Sequence, residues 1–351
     1  MKKRVCVAMS GGVDSSVAAA LFKEQGFEVV GVFMHFWKEL GARGDFGCCS
    51  TAALESARRV AQKLEIPFYT VNFQEVFKRK IVDYFLDTYR CIRTPNPCVE
   101  CNRYIKFGAF LKKAKELKAD YIATGHYARV KKKGSKYHLL CGKDKKKDQS
   151  YFLYTLAQNQ LKHVLFPVGG YTKAEVQKLA KKYNFKQFKK RPESQDACFY
   201  PEKTYEPFLR RHLPKSAFKK GKIRTVSGEV IGEHKGLPFY TIGQRKGLEI
   251  GGLKKPLYVV RLDKRKNEVI VGGNKDCFTA DLGLKKLSFI SGEKPKKPLK
   301  IKVKIRYRAS LVEAVLDGNK LIFGKPQRGI TPGQSVVFYE REECLGGGII
   351  R

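Results

Sequence analysis

Short apolar runs alternate with helical periodicities through the first 190 residues. RVCVAM (4–9), FEVVGVFM (27–34), PFYTVNF (67–73) and DYIATGH (120–126) read as strands. The first two carry almost no polar position, as strands buried on both faces do. Between them, DSSVAAALFKEQG (14–26) reads as a helix ending at Gly26, and TAALESARRVAQKLE (51–65) as a second helix. Residues 73–89 are amphipathic, and 101–118 place Ile105, Phe107, Phe110, Leu111 and Leu117 on a helical period. Thr172 and Glu175 form a capping box that opens another helix. Strand–helix alternation of this kind predicts an α/β fold, a doubly wound, mostly parallel sheet with helices on both faces.

The texture changes after about residue 206. Residues 221–248 are Gly-rich with short alternating runs, and PLYVVRLD (256–263) and NEVIVGG (267–273) look like paired strands. From about 276 onward only strand patterns separated by Gly and Pro turns remain. These shifts place a catalytic unit at 1–205, a small central β-rich unit at 206–275 and a C-terminal β-barrel at 276–351. YHLLC (137–141), flanked by lysine clusters, reads as an exposed hairpin.

Charge narrows the function. The chain has 351 residues, 71 Lys and Arg against 33 Asp and Glu, and a net charge of +38, so a polyanion such as nucleic acid is the expected partner. A lysine-rich surface with no special role is the plainer explanation. The apolar runs are too short for a membrane span, and the N-terminus lacks a signal-peptide pattern, so a cytoplasmic protein is expected. Ten cysteines are then reduced thiols rather than a disulfide framework. Cys48, Cys49, Cys98, Cys101 and Cys198 lie among Gly, Pro, Asp and aromatic residues, the loop contexts in which reactive groups tend to sit. The Cys98–Cys101 spacing alone allows half of a metal site, a redox pair, a nucleophile or a plain turn.

Ala8, Met9, Ser10, Gly11, Gly12, Val13, Asp14 and Ser15 join the first strand to the first helix. Glycines permit a tight turn, and a helix N-terminus offers free N–H groups and the positive end of its dipole, which together suit an anion. The string lacks the Gly-Lys-Ser/Thr of a Walker loop and the Gly-x-Gly-x-x-Gly of dinucleotide folds. A simple glycine turn capped by Asp14 or Ser15 is the alternative.

The whole string SGGVDS resembles the loop of the PP-loop ATP pyrophosphatases, whose fold is that of the adenine nucleotide alpha hydrolases. The resemblance implies that residues 8–15 grip ATP, that Asp14 helps hold Mg2+, and that Met34 and Gly125 line the nucleotide site. Further stretches narrow it: FGCCSTAALE, TPNPCVECNRYIKF, TGHYA, KDQSYFL, SQDACFY, GLPFYTIGQRKGL and TPGQSVVFY. Together they resemble the tRNA-specific 2-thiouridylases from residue 4 to the last residues.

That resemblance implies a reaction. O2 of the wobble uridine, U34, attacks the α-phosphorus of ATP, pyrophosphate leaves, and sulfur from a cysteine persulfide then displaces AMP at C2. It implies Cys101 as nucleophile and Cys198 as persulfide carrier, ending as disulfide partners. A persulfide donor, a cysteine desulfurase or sulfur-relay protein, is the implied second partner beside tRNA, and a monomer is expected. Asn96, Pro97 and Cys98 fall where the family contacts the target base. Some members carry Asp at the third position; a thiol with an ordinary pKa of about 8.5 is a poor substitute as a base. His126, Lys147, Asp148, Gln149, Arg306, Tyr307 and Gln334 are implied tRNA contacts. Arg306 and Tyr307 are expected on a strand, Cys101 at the opening of a helix, and Cys198 on a loop able to swing. Two alternatives stay open: a 4Fe–4S cluster on Cys98, Cys101 and Cys198, or a different PP-loop activity on tRNA. A catalytically inactive RNA-binding protein is the non-enzymatic reading.

Overall fold

The computed structural model describes residues 2–39, 50–185, 198–251 and 255–351. Cys48, Cys49 and Asp196 lie outside them.

The strands are β1 (Arg4–Ala8), β2 (Glu28–His35), β3 (Phe68–Asn72), β4 (Tyr121–Ala123), β5 (Ala128–Lys133), β6 (Lys136–Cys141), β7 (Val164–Leu165), β8 (Gly221–Thr225), β9 (Val230–His234), β10 (Tyr258–Asp263), β11 (Glu268–Gly272), β12 (Phe278–Phe289), β13 (Leu299–Lys304), β14 (Val312–Asp317), β15 (Lys320–Arg328), β16 (Ser335–Glu340) and β17 (Glu343–Ile350). β1, β2, β3, β4 and β7 form a parallel sheet in the order β3-β2-β1-β4-β7. After Arg4, β1 is apolar because both its faces are covered. Val5 and Val7 pack into one core with helices α1 (Val13–Glu24), α2 (Thr51–Lys63) and α8 (Lys173–Lys182). Cys6 and Ala8 pack into the other, against the helices between residues 74 and 116.

Those second-face helices are α3 (Gln74–Phe77), α4 (Asp83–Arg90), α5 (Pro97–Cys101) and α6 (Phe110–Glu116). Two π-helical stretches, Lys78–Val82 and Asn102–Ala109, join them, so residues 97–116 run as one irregular helix. π-Helical turns are uncommon and concentrate at functional sites. Short helices α7 (Gln158–Leu161) and α9 (Glu206–His212) complete the set.

The central unit is a four-stranded sheet, β10-β11-β8-β9, with β10 and β11 paired antiparallel as their sequence suggested. β12-β15-β14-β13-β16-β17 close into a six-stranded barrel through the β12–β17 pairing, burying Leu284, Val303, Leu321, Val336 and Phe338. A closed barrel leaves no edge strand to template aggregation.

The 128–141 hairpin departs from its expected exposure. β6 adds to β17 through Leu139↔Cys344 and Leu140↔Glu343, and Leu139 is fully buried. The lysines at its tip remain exposed. The hairpin thus ties the first unit to the barrel.

Candidate active site

The 8–15 loop lies at the carboxyl ends of β1 and β2, the edge at which open parallel sheets place their ligands. Met9 turns its side chain into the core, where its sulfur fills the space a Cβ on Gly31 would need. Ser10 is exposed. Gly11 has φ +71°, and a Cβ on it would lie 2.2 Å from the Ala53 carbonyl oxygen, so α2 can dock only onto glycine here. Gly12, rather than Asp14 or Ser15, is the N-cap of α1, and no side chain caps the helix. The Ser15 and Ser16 hydroxyls instead donate back to the Gly12 carbonyl at 3.1 and 2.9 Å. Beside Gly12, among the described residues, a Cβ would meet only the Ser10 hydroxyl, at 3.6 Å. The result is a helix start without a side-chain cap, whose free N–H groups and positive dipole end offer the polarity an oligophosphate needs.

Asp14 is held from two directions. Tyr127 donates its hydroxyl to Oδ1 at 2.8 Å, and Lys173 Nζ lies 2.8 Å from Oδ1 and 2.9 Å from Oδ2. The Thr172–Glu175 capping box sets Lys173 at the first position of α8. Glu175 is held down to about 2 by its bond to Lys143 and the backbone N–H of Thr172. No sequence signal links positions 14 and 173. Gly125 packs on the same turn, with a Cβ position only 2.8 Å from the backbone of Asp14 and Ser15. Met34 is half-buried near the end of β2.

The cysteine helix corrects one expectation. Pro97 occupies its first turn and Asn96 is its N-cap, because proline is pre-set for that position. Cys98 therefore sits in the first turn and is exposed, while Cys101 is a full turn further in and only 8% exposed. Any benefit from the helix N-terminus falls on Cys98 rather than Cys101. Glu100 is buried, and burial raises its carboxyl above the usual range. Two residues on from Cys98, it lies on the opposite side of the helix and does not replace the acid missing there.

Cys198 is half-buried, and Cys101 and Cys198 both pack into the core cluster on that side of the sheet. The expected swinging loop is pinned just after Cys198. Phe199 is 1% exposed, with its ring 5.1 Å from Phe85, 5.4 Å from Phe208 and 6.1 Å from Phe77. Among the described residues no three His, Cys, Asp or Glu side chains converge as a metal-holding group. Of the three thiols, Cys98 is exposed, Cys101 buried and Cys198 half-buried.

Several residues expected to meet tRNA are engaged within the protein. His126 is 8% exposed, its Nδ1 lies 2.7 Å from the Thr124 hydroxyl, and its ring packs between Phe107 and Phe166. Burial holds its pKa well below the usual histidine value. Asp148, 4% exposed, accepts from the Gly142 and Ser150 amides and pairs with Lys304 of the barrel at 3.4 Å. Gln149 Oε1 accepts from the Tyr127 amide at 2.9 Å, and Lys147 beside it is half-buried. Arg306 and Tyr307 lie on the turn after β13 rather than on a strand; Arg306 is exposed and Tyr307 packs on Phe152 at 4.4 Å. Gln334 donates to the carbonyls of Pro95 (2.8 Å) and Thr94 (3.3 Å), while the Thr94 amide donates to Pro332 at 2.9 Å. The TPGQ turn of the barrel thus docks on the approach to the cysteine helix.

Residues 3–202 match a family model described as tRNA methyl transferase HUP domain, 206–273 the tRNA methyl transferase PRC-barrel domain, and 279–350 the aminomethyltransferase beta-barrel domain. A HUP unit followed by two β units is thus the class. A tRNA-specific 2-thiouridylase MnmA of Carboxydothermus hydrogenoformans is 50% identical over 99% of this chain and 98% of its own length. MnmA 1 of Caldanaerobacter subterraneus subsp. tengcongensis is 51% identical over 100% and 98%, and MnmA of Clostridium acetobutylicum 46% over the whole of both. The chain belongs to the tRNA-specific 2-thiouridylase family. A solved 4-thiouridine synthetase–RNA complex with bound ATP aligns over 52% of this chain and 41% of its own at 17% identity and a TM-score of 0.33, a likeness too weak to bear on function. No helix among the described residues is long and apolar enough to cross a membrane.

Proposed function

We propose that this protein uses ATP to convert the wobble uridine of tRNA to 2-thiouridine. The observation that carries the reading is the similarity to curated thiouridylases over essentially the entire chain at 45–51% identity. The methyl-transfer wording of the three family models is outweighed by full-length relatives bearing the thiolation name.

The triphosphate sits at the uncapped start of α1, cradled by residues 8–15, with Met34 and Gly125 bordering the nucleoside. Lys173 adds positive charge at the same place, 2.8 Å from Asp14. Asp14 is the carboxylate of this loop, which suits Mg2+, an ion that takes one or two carboxylates and completes its shell with phosphate oxygens and water. When bound, the ion neutralises charge on the departing pyrophosphate. Uridine O2 displaces pyrophosphate from the α-phosphorus, so the oxygen becomes part of an AMP leaving group.

The sulfur half uses the two thiols. Cys198 receives the outer sulfur of a donor protein's persulfide, and the donor retains its thiol. That sulfur attacks C2 and AMP departs. Cys101 thiolate then attacks Cys198 Sγ, leaving the transferred sulfur on C2 and a Cys101–Cys198 disulfide that a thiol reductant reopens. The donor is a cysteine desulfurase or sulfur-relay protein, and the enzyme acts as a cytoplasmic monomer. Asn96, Pro97 and Cys98 meet the target base, while Arg306, Tyr307 and the Lys147 region meet the anticodon arm. His126, Asp148, Gln149 and Gln334 serve the tRNA surface from behind, by holding that region in shape.

The test is turnover of an unmodified tRNA with ATP and a persulfide donor, scored for AMP and for 2-thiouridine by nucleoside mass. Cys101→Ser and Cys198→Ser should each abolish thiolation and leave tRNA binding within a few-fold. Normal thiolation by either variant sinks the two-cysteine assignment. AMP without sulfur in the wild type would point to another adenylating activity.

A further inference from the structure

Three buried side-chain oxygens among the described residues lack a hydrogen-bond partner: Asn102 Oδ1, Thr155 Oγ1 and Glu202 Oε2. Glu202 is already paired through its other oxygen, 2.6 Å from Arg211. Asn102 differs in place and in chemistry. It follows Cys101 directly, is 2% exposed, and donates Nδ2 to the Phe152 carbonyl at 3.1 Å. Only the NH2 end of an amide can face a carbonyl oxygen, so this bond fixes the side chain's orientation and leaves Oδ1 as an acceptor. The anchor is itself fixed: the Phe152 amide donates to Gln149 at 3.0 Å, and its ring packs on Tyr307.

The Asn102 amide N–H still bonds the Cys98 carbonyl, so α-helical geometry holds through this turn. Cys98, Cys101 and Asn102 are then positions i, i+3 and i+4 and share one side of the helix. A buried acceptor without a donor is unfavourable and calls for a partner. Cys101 and Asn102 are both buried, 8% and 2% exposed, and neighbours on one side of the helix, so a base that reaches the thiol must first part the cover they share.

We propose that Asn102 is a specificity residue that reads the target base as uracil, its Oδ1 accepting the hydrogen bond of uracil N3–H. The proposal rests on the thiolation reading above. Uracil and cytosine both carry O2, so the reacting atom cannot tell them apart. They differ at the neighbouring ring position: N3 of uracil is a donor, and N3 of cytosine is an acceptor. A fixed acceptor there attracts the first and repels the second. A site built to bond one polar group strongly rejects an analogue that lacks it. Sequence-specific recognition of unpaired RNA bases works through such edge contacts.

The experiment uses the full chain and two anticodon stem-loop RNAs that differ only in uridine or cytidine at position 34. Affinity is measured for each in the presence of a non-hydrolysable ATP analogue, and AMP formation is measured with ATP. Wild-type protein should prefer the uridine stem-loop by about tenfold or more, and Asn102→Ala should bring the two within about twofold, by weakening uridine binding and relieving the repulsion of cytidine. Asn102→Asp should keep the preference, because a buried neutral acid donates to Phe152 and accepts at its other oxygen. A wild-type preference retained by Asn102→Ala overturns the proposal. So does a wild-type protein that makes AMP on uridine yet binds both RNAs equally. If Asn102→Ala does not fold, loss of the preference in a folded Asn102→Asp decides against it. Absence of AMP formation by the wild type on the uridine RNA would instead refute the thiolation reading itself.

Discussion

Gly333→Ala tests how the barrel is coupled to the cysteine helix. Gly333 has φ +94°, and a Cβ there would lie 2.6 Å from the Thr94 carbonyl oxygen and 3.0 Å from its nitrogen. Two penalties combine. A left-handed backbone costs an L-residue about 1–2 kcal/mol, and overpacking against fixed backbone costs about 1–3 kcal/mol more. Gly318 supplies the control, because it has φ +55° and nothing within 4 Å of its Cβ position. Gly318→Ala should therefore show the first penalty alone. In thermal unfolding, Gly333→Ala should melt several degrees below Gly318→Ala. Thr94 and Pro95 lead straight into the helix bearing Cys98 and Cys101, so thiolation should fall further than stability does. A misplacement of about 1 Å can cost about a hundredfold in rate. Equal melting and equal turnover in the two variants would refute the claim that the TPGQ turn positions this helix.

Lys173→Met should lower AMP formation by about a hundredfold, the scale of losing one preorganised charge, with tRNA affinity within a few-fold of wild type; unchanged AMP formation removes Lys173 from the nucleotide site. His126 predicts a pH effect. Its pKa is depressed in the folded state, so below the unfolded value of about 6.5 the unfolded chain binds the extra proton and stability falls with acidification. Between pH 6.5 and 5.5 that loss is about 1 kcal/mol, and His126→Gln should remove this part of the slope in denaturant titrations at both pH values. Affinity for tRNA should decline steeply with added salt as phosphate contacts release counterions; a flat response would assign the charge of +38 to something else.

The sequence determined the elements whose causes are local. Two-faced burial makes β1 and β2 continuous apolar runs, Thr172 and Glu175 announce a helix start, and the order of motifs names the family. The loop at 8–15 was legible because its glycines and the helix after it are contiguous. Local signals also misled where a neighbour's position decides the outcome. Arg306 and Tyr307 continue a strand-like pattern, yet the strand ends at Lys304 and the ring of Tyr307 packs on Phe152. Pro97 at the first helical turn was readable in principle, and it moves the helix start from Cys101 back to the proline.

Tertiary structure alone decided what is assembled from distant parts. The Asp14–Lys173 pair spans 159 residues, the Gln334–Pro95 bond 239, and the Asn102–Phe152 bond 50. A hydrogen bond is satisfied by whichever donor the fold delivers, and periodicity carries no record of which one that is. NPCVECN shows the division: its spacing offered two cysteines as equals, and packing exposed Cys98, buried Cys101 and left Asn102 with an acceptor still to be met.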